Sequence, residues 1–281
     1  MADSTTLSPP RGCRCSLMAI TGLMIAITSP VAAQIPTEPL RPIQNNSADI
    51  RIDGQMDEAV WQSLPFVDAM QVVDPDRLEP AANATRTRLL YSERGLYIGI
   101  EADQLPATLL ARLSSRDADI NRDGVTVYLD TSGEGRYGYY FGVNLGGTLI
   151  DGTLLPERQM SSLWDGPWLG AASETATGYQ VEMFLPWSMM NMPATASADR
   201  NVAIAVTRRV AGLDETWGWP ALPESQARFM SGMQSVVLQD LGNRNLTQGL
   251  TLYPSAAATH DRMRSNNDVR LGTDYLLAPQ Q

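Results

Sequence analysis

Four tryptophans stand among turn-forming residues, and they are the side chains of this chain best suited to hold a ligand. Trp164 and Trp168 enclose Asp-Gly-Pro, while Trp217 and Trp219 enclose Gly and precede Pro. Gly, Pro and Asp favour turns, so the sequence predicts a loop at each pair. A tryptophan face on a loop can stack against the C–H face of a sugar ring, and it can equally pack over the edge of a sheet.

Arg116 and Asn144 are candidate polar partners for a ligand held by these rings. An arginine guanidinium donates paired hydrogen bonds in a fixed plane, which suits neighbouring hydroxyl groups. Trp61 and Trp187 lie in apolar stretches instead. The sequence predicts that these two belong to the hydrophobic core.

A short polar stretch before a predicted strand could hold calcium. Residues 119–124 read Asp-Ile-Asn-Arg-Asp-Gly, which resembles the start of a calcium-binding loop with oxygen ligands from Asp119, Asn121 and Asp123. The twelfth position of such a loop carries Glu, whereas this chain has Asp130, at the end of a strand pattern. The alternative is a solvated turn whose Asp and Asn side chains cap backbone N–H groups.

The sequence contains no recognisable catalytic constellation. It has no Gly-x-Ser-x-Gly motif, and its single histidine, His260, lies in a polar stretch. A glycosidase would need two carboxylates flanking a cleft, and the sequence alone cannot pair its acidic residues. We therefore expect no catalytic residues and no cofactor other than calcium.

The charge balance excludes some partners. The chain has 21 basic residues, all of them arginine, against 31 acidic residues, for a net charge of −10. Nucleic-acid binding requires a basic face, so we expect no nucleic-acid partner. The same balance argues against simple attraction to anionic lipid.

The first 33 residues have the pattern of a secretory signal peptide. Arg11 and Arg14 precede an apolar run over 15–29, and small residues follow at 31–33. The alternative is a membrane anchor, for which the run is short, since a span needs about 20 residues. We predict a cleaved signal over 1–33, a periplasmic or extracellular protein, and a Pro- and Asn-rich linker over 34–48.

From residue 49 to 242 the chain alternates between apolar and polar residues. In Val125–Leu129, for example, Val125, Val127 and Leu129 face one side while Thr126 and Tyr128 face the other. Many short strands separated by turn residues are typical of an antiparallel sandwich. We predict an all-β, jelly-roll-like antiparallel β-sandwich with a few short helices.

Several segments in order resemble one known family. They are Ile52-Asp-Gly-x-x-Asp-Glu-x-x-Trp61, Leu96–Asp103, Arg116-Asp117 with Asp123–Asp130, Gly138–Asn144 and Gly178–Trp187. Over roughly residues 49–242 the chain resembles the family 9 carbohydrate-binding module, as found at the N-terminus of bacterial outer-membrane β-barrel proteins of unknown function. The resemblance implies non-catalytic binding of a glycan, in the context of carbohydrate catabolism. In the first segment we expect Asp57 to cap a short helix that ends at Ser63.

Residues 243–281 differ in composition from the sandwich and resemble the first segment of such a barrel. By this resemblance the chain is a truncated member, associated with the outer membrane where a full-length barrel exists. An ordinary frayed C-terminus is the alternative. Within this tail we predict a disordered stretch over 260–267 and the start of a strand over 271–277.

The chain departs from the family at two positions. Sugar-binding members tend to carry an aromatic residue just before the strand at 125–129 and an acidic residue within it. The comparable residues here are Ile120 and Thr126. This departure favours a second hypothesis, a structural or interaction domain without a sugar site that contacts a barrel or another partner. A hydrolase acting on O-glycosyl bonds, to which family 9 modules are often attached, is the third.

Overall fold

The structure, a computed structural model, describes Met1 and residues 40–118, 120–156 and 158–242, together with the backbone of four short strands between 258 and 275. Apart from Met1, the predicted signal peptide lies outside the described residues, as does Asp119 of the predicted calcium loop. Among the described residues, no helix is both long enough and apolar enough to cross a membrane.

Seventeen strands and one α-helix follow one another along the described chain. The strands are β1 Ile43–Gln44, β2 Gln71–Asp74, β3 Thr85–Tyr91, β4 Gly95–Asp103, β5 Gly124–Asp130, β6 Gly138–Asn144, β7 Leu149–Leu155, β8 Gln159–Ser161, β9 Leu169–Thr175, β10 Gly178–Pro186, β11 Arg200–Val210, β12 Glu215–Trp219, β13 Gln234–Leu238, β14 Ala258–Thr259, β15 Arg262–Ser265, β16 Asp268–Leu271 and β17 Asp274–Tyr275. Helix α1 is Ala59–Ser63, and three-residue 3₁₀ turns occupy Pro106–Thr108, Trp187–Met189 and Met230–Gly232.

Two curled sheets enclose the main core. The first has the order β1-β3-β4-β10-β9, and the second β2-β12-β11-β5-β6-β7-β8, with β13 paired to the start of β11. All pairings in these two sheets are antiparallel except the short one between β1 and β3. The predicted all-β sandwich is confirmed.

Apolar and polar residues of β5 face opposite sides of the sheet, as the sequence predicts. Val125, Val127 and Leu129 are at most 2% exposed and belong to the core between the sheets. Thr126 and Tyr128 point to the opposite face and are half-buried. Side chains on this outer face of the second sheet are therefore available to form a site.

The Ile52–Trp61 segment covers the outer face of the first sheet, where Glu182 anchors it. The Glu182 carboxylate is fully buried and accepts hydrogen bonds from the Trp61 indole N–H (2.8 Å) and from the backbone N–H groups of Asp53 (3.2 Å) and Gly54 (2.9 Å). Gly54 has φ of +85°, and a Cβ there would lie 2.7 Å from the Ala172 backbone. The segment is thus fixed to the sheet by its own backbone and by its tryptophan.

Three local predictions differ from the structure. Helix α1 begins at Ala59, and its N-cap residue is Glu58, which makes no side-chain cap hydrogen bond. The Asp57 cap is therefore wrong. Ile43 and Gln44, within the predicted linker, pair with β3 and form an edge strand. In the tail, Arg262–Ser265 is a strand paired with Asp268–Leu271, in place of a disordered stretch.

A buried arginine ties the two sheets together. Arg208 of β11 has no exposed surface, and its guanidinium donates to the carbonyls of Ala84 and Asp103 and to the side chains of Thr85 and Gln104, at 2.8–3.2 Å. These acceptors belong to the first sheet or to residues beside it, so one side chain spans the sandwich. Such a cation is tolerated in the core because four acceptors surround its two terminal nitrogens; its Nε has no partner among the described residues.

Candidate functional site

A shallow groove of about 340 Å³ lies on the outer face of the second sheet. Its floor is the row formed by Thr207 of β11, Thr126 of β5, Gly142 of β6 and Ile150 of β7, which are adjacent in the sheet register. Gly142 has no side chain, so the floor of the groove is lowest at this position. A Cβ there would lie 3.1 Å from the Thr126 hydroxyl oxygen. The small side chains leave room for a ligand above the floor.

Polar residues form the second row of the groove. Arg209 pairs with Thr216 on β12 and with Gly124 on β5, and Gly124 in turn pairs with Asn144 on β6. The Arg209 Nε donates to the Asn121 side-chain oxygen (3.3 Å), and its guanidinium also pairs with Asp214. A cation, an amide and threonine hydroxyls therefore face one opening.

The two ends of the groove are closed differently. At one end Ile120 forms an apolar wall with 39% of its surface exposed. Nearby, Arg122 holds the preceding loop by donating to the Arg112 and Ala118 carbonyls. At the other end, the Tyr128 ring packs edge-on against Phe229 (4.9 Å between centroids). Burial raises the Tyr128 pKa above its ordinary value, so the hydroxyl stays a neutral hydrogen-bonding group.

The described lining of the groove combines polar and apolar side chains and contains no carboxylate. Threonine, asparagine and arginine side chains offer donors and acceptors beside the apolar surfaces of Ile120 and Ile150. None of the described residues that line it is Asp, Glu, His or Cys. The pair of carboxylates that a glycosidase needs is therefore missing from this lining.

Trp164 and Trp168 lie away from this groove, on the connection between β8 and β9 at the sandwich edge. Trp168 is 4% exposed and packs against Phe141 (5.4 Å between centroids). Trp164 is half-buried and packs against Tyr139 (4.7 Å). The loop prediction is confirmed for this pair, and the rings have the edge-packing role that was its alternative. Trp164 alone keeps an accessible surface that could still contact a ligand.

Trp217 and Trp219 are in the core. Both belong to β12 rather than to a loop, and they are 0% and 2% exposed. The Trp217 ring lies beneath the Arg208 guanidinium, with 5.0 Å between the charge and the ring centroid. The loop prediction is wrong here because β12 pairs with both β11 and β2, which extends the chain through Gly218. Neither ring presents a face to solvent.

Arg116 contacts the Trp164–Trp168 loop rather than the groove. Its guanidinium pairs with the buried Asp151, with Asp165 (3.0 Å) and with Asp117 (3.9 Å). Carboxylate oxygens of the three acids lie within 4.8 Å of one another, and Arg116 supplies their counter-charge. Burial raises the Asp151 pKa, although the Gly166 N–H and Arg116 act in the opposite direction.

Asp123 and Asn121, two of the three residues predicted to bind calcium, have protein partners in the structure. Asp123 is fully buried, and its carboxylate accepts from the backbone N–H groups of Leu110 (2.7 Å) and Ala211 (2.9 Å) and from the Gln104 amide (3.1 Å). The Asn121 amide donates to the Ala211 carbonyl (3.3 Å). Asp123 accepts from backbone N–H groups, as in the capping alternative, but it is buried rather than solvated, and Asn121 donates to a carbonyl instead of capping an N–H group.

Of the predicted ligand and metal residues, Asn144 and Asn121 line the groove. Asn144 is 3% exposed and is held by two hydrogen bonds to the Thr148 backbone, at 2.7 and 3.3 Å. Sequence reasoning missed Thr207, Arg209 and Thr216. Alternation along β11 places Thr207 and Arg209 on the outward face, and that signal could have identified these two.

Comparisons with known proteins agree with this architecture. Residues 52–216 match the family described as carbohydrate family 9 binding domain-like. No curated protein matches the chain. Among solved structures, a proposed carbohydrate-binding protein from Bacteroides uniformis has a TM-score of 0.55 at 10% identity, covering 72% of this chain and 99% of its own. A family 9 carbohydrate-binding module from Caldicellulosiruptor kristjanssonii, in complex with cellotriose, has a TM-score of 0.49 at 12% identity, covering 76% and 100%.

Proposed function

The chain belongs to the carbohydrate family 9 binding domain-like family, and from this premise we propose that it binds a glycan without catalysing a reaction, in the groove on the outer face of the second sheet. The observation that carries the proposal is the position of Ile120 and Thr126. Sugar-binding members tend to have an aromatic and an acidic residue at the comparable positions, and both residues line this groove.

The chemistry of the groove suits a neutral saccharide. The Thr126, Thr207 and Thr216 side chains offer hydroxyl groups, and the amide of Asn144 and the guanidinium of Arg209 lie in the same opening. The apolar face of a sugar ring can rest on Ile120 or Ile150. Since no tryptophan lines the groove, stacking is weaker than in an aromatic clamp, and we expect dissociation constants in the millimolar range, about −4 kcal/mol.

The experiment is a titration of the ¹⁵N-labelled protein with glucose and cello-oligosaccharides, followed by chemical-shift changes of backbone amides. Saturable shifts at Thr126, Thr207 and Asn144 support the groove. Thr126→Val should weaken binding, whereas Thr153→Val, a half-buried threonine of β7 outside the groove, should not. If Trp164→Ala abolishes binding while Thr126→Val leaves it intact, the ligand sits on the Trp164 loop instead.

A second candidate is a structural or interaction domain of an outer-membrane barrel protein. It is favoured by one observation, the exposed aliphatic side chain of Ile120 where an aromatic clamp would stand. A folded protein whose amide spectrum is unchanged by a broad panel of neutral oligosaccharides would favour this candidate over glycan binding.

We also propose that the protein is exported to the periplasm or the extracellular space, where polymeric glycans are met and carbohydrate catabolism begins. The proposal rests on the signal-peptide pattern of residues 1–33. N-terminal sequencing of the exported protein should begin at Gln34, and retention of Met1 in the exported fraction would contradict cleavage.

A further inference from the structure

A second and larger cavity, of about 770 Å³, lies at the other end of β5 from the groove. We name it the end cavity. Its walls come from the turn between β5 and β6, from residues 193–199 before β11, and from the first residues of β11. The groove lining reaches along β5 as far as Tyr128, and the lining of the end cavity begins at Ser132, beyond the end of β5. No described residue lines both openings.

The wall of the end cavity contains a buried arginine with no acidic partner among the described residues. Arg200 is 4% exposed, and its guanidinium donates to the carbonyls of Pro193 (2.7 Å) and Gly242 (3.4 Å). Its Nε has no hydrogen-bond partner in the part of the chain that the structure describes. Burial lowers the Arg200 pKa, and no carboxylate in the described part of the chain opposes that effect.

An unbalanced buried cation is costly, so its presence at a cavity wall needs an explanation. Removing a charge from water costs several kcal/mol unless an opposite charge or a full set of hydrogen bonds compensates for it. Arg208 has four acceptors, and Arg122, as buried as Arg200, has three, whereas Arg200 has two among the described residues. Within the described chain, an unpaired Nε is shared by Arg200 and Arg208, so the smaller number of acceptors is what distinguishes Arg200. A planar anion entering the cavity would supply the acceptors that the protein does not.

The charges at the rim are nearly balanced. Arg136 is largely exposed and pairs with Glu134 (3.0 Å), so the two cancel. Asp199 also lines the cavity and accepts one hydrogen bond, from the Asp240 backbone N–H (3.1 Å). Asp199 therefore opposes an anionic ligand, and Arg200 attracts it.

We propose that the end cavity is a second binding site, for the carboxylate of an acidic saccharide such as a uronic acid. The carboxylate faces Arg200, while Ser132, Thr195 and Asn201 line the same cavity and offer hydrogen bonds to ring hydroxyls. Tyr137, half-buried beside them, offers an aromatic edge. That the ligand is a saccharide rests on the proposed function. The end cavity and the groove are separate openings, so anion binding in the cavity does not require sugar binding in the groove.

The test is a titration of the ¹⁵N-labelled protein with glucuronate, with glucose and propionate as matched probes. We expect saturable shifts at Gly133 and Asn201 with glucuronate that are absent with glucose, together with weaker binding of propionate. No glucuronate-induced shift at these amides would overturn the proposal, as would equal shifts with glucose. Propionate binding as tightly as glucuronate would overturn the saccharide assignment. Glucose shifts at Thr126 report the groove separately, so failure of one site is distinguishable from failure of the other.

Three substitutions sharpen the test. Arg136→Gln leaves Glu134 without its partner and should weaken glucuronate binding by about threefold. Asp199→Asn removes a negative charge and should strengthen binding by about threefold. Both magnitudes are those expected for one charge about 7 Å away in water. Arg200→Met should abolish it. Should Arg200→Met fail to fold, the opposite effects of the two rim variants decide the matter, because unchanged affinity in both contradicts the proposal.

Discussion

Glu182 offers the sharpest test of how this fold is held together. Burial raises its pKa from the ordinary value to about 7, against the effect of the three N–H groups that donate to it. A carboxyl whose pKa is raised in the folded state stabilises the protein when it is protonated. That stability is fully present below the unfolded pKa of 4.5 and is lost as the pH rises through about 7.

The magnitude follows from linkage. With pKa values of about 7 folded and about 4.5 unfolded, this one group makes the free energy of unfolding about 2.5 kcal/mol smaller at pH 8 than at pH 5. Glu182→Gln removes the titration. It also places an amide NH₂ against either the Trp61 indole N–H or the two backbone N–H groups, at a cost of about 1–3 kcal/mol.

We therefore expect Glu182→Gln to be destabilised by about 1–3 kcal/mol at pH 5 and to approach the wild-type stability at pH 8. Urea denaturation of both proteins at pH 5, 6, 7 and 8, followed by circular dichroism, measures the difference and cancels all other titrating groups. A difference between the two proteins that stays constant across this range would refute the argument. Glu174→Gln, at an exposed acid of β9 in the same sheet, is a control for general charge effects.

Three further changes test the packing and the groove. Gly54→Ala should lower the free energy of unfolding by more than about 2 kcal/mol, because the new Cβ would meet the Ala172 backbone. Gly147→Ala is the matched control, since Gly147 also has a positive φ (+80°) but faces open space, and it should cost about 1 kcal/mol. Urea denaturation measures both variants. Arg208→Met should lower stability by more than about 3 kcal/mol in the same assay, since it removes four buried hydrogen bonds. Ile120→Trp should raise the affinity for glucose by about fivefold, or about 1 kcal/mol, in an NMR titration. The exposed control Leu105→Trp should not, and equal gains in both would argue against stacking in the groove.

The sequence by itself determined the class of fold. Apolar and polar residues alternate in strands such as β5, and that local period of two decides which side chains are buried without reference to any other segment. The sequence also predicted the turn and the buried tryptophan of the Ile52–Trp61 segment, since both are local features. The hydrogen-bond acceptor of that segment, Glu182, lies about 120 residues away, and no local pattern identifies it.

Only the tertiary structure decided which candidate residues share a site. Thr126 and Thr207 meet because β5 and β11 pair in one register, and a shift of β11 by one residue would turn Thr207 into the core, away from Thr126. Trp217 looked like a loop residue because its neighbours favour turns, yet pairing on both sides made β12 a strand and buried the ring. Turn propensity is a weak local preference, whereas strand pairing and burial are set by contacts between distant segments, and these larger energies decide the exposure of each tryptophan.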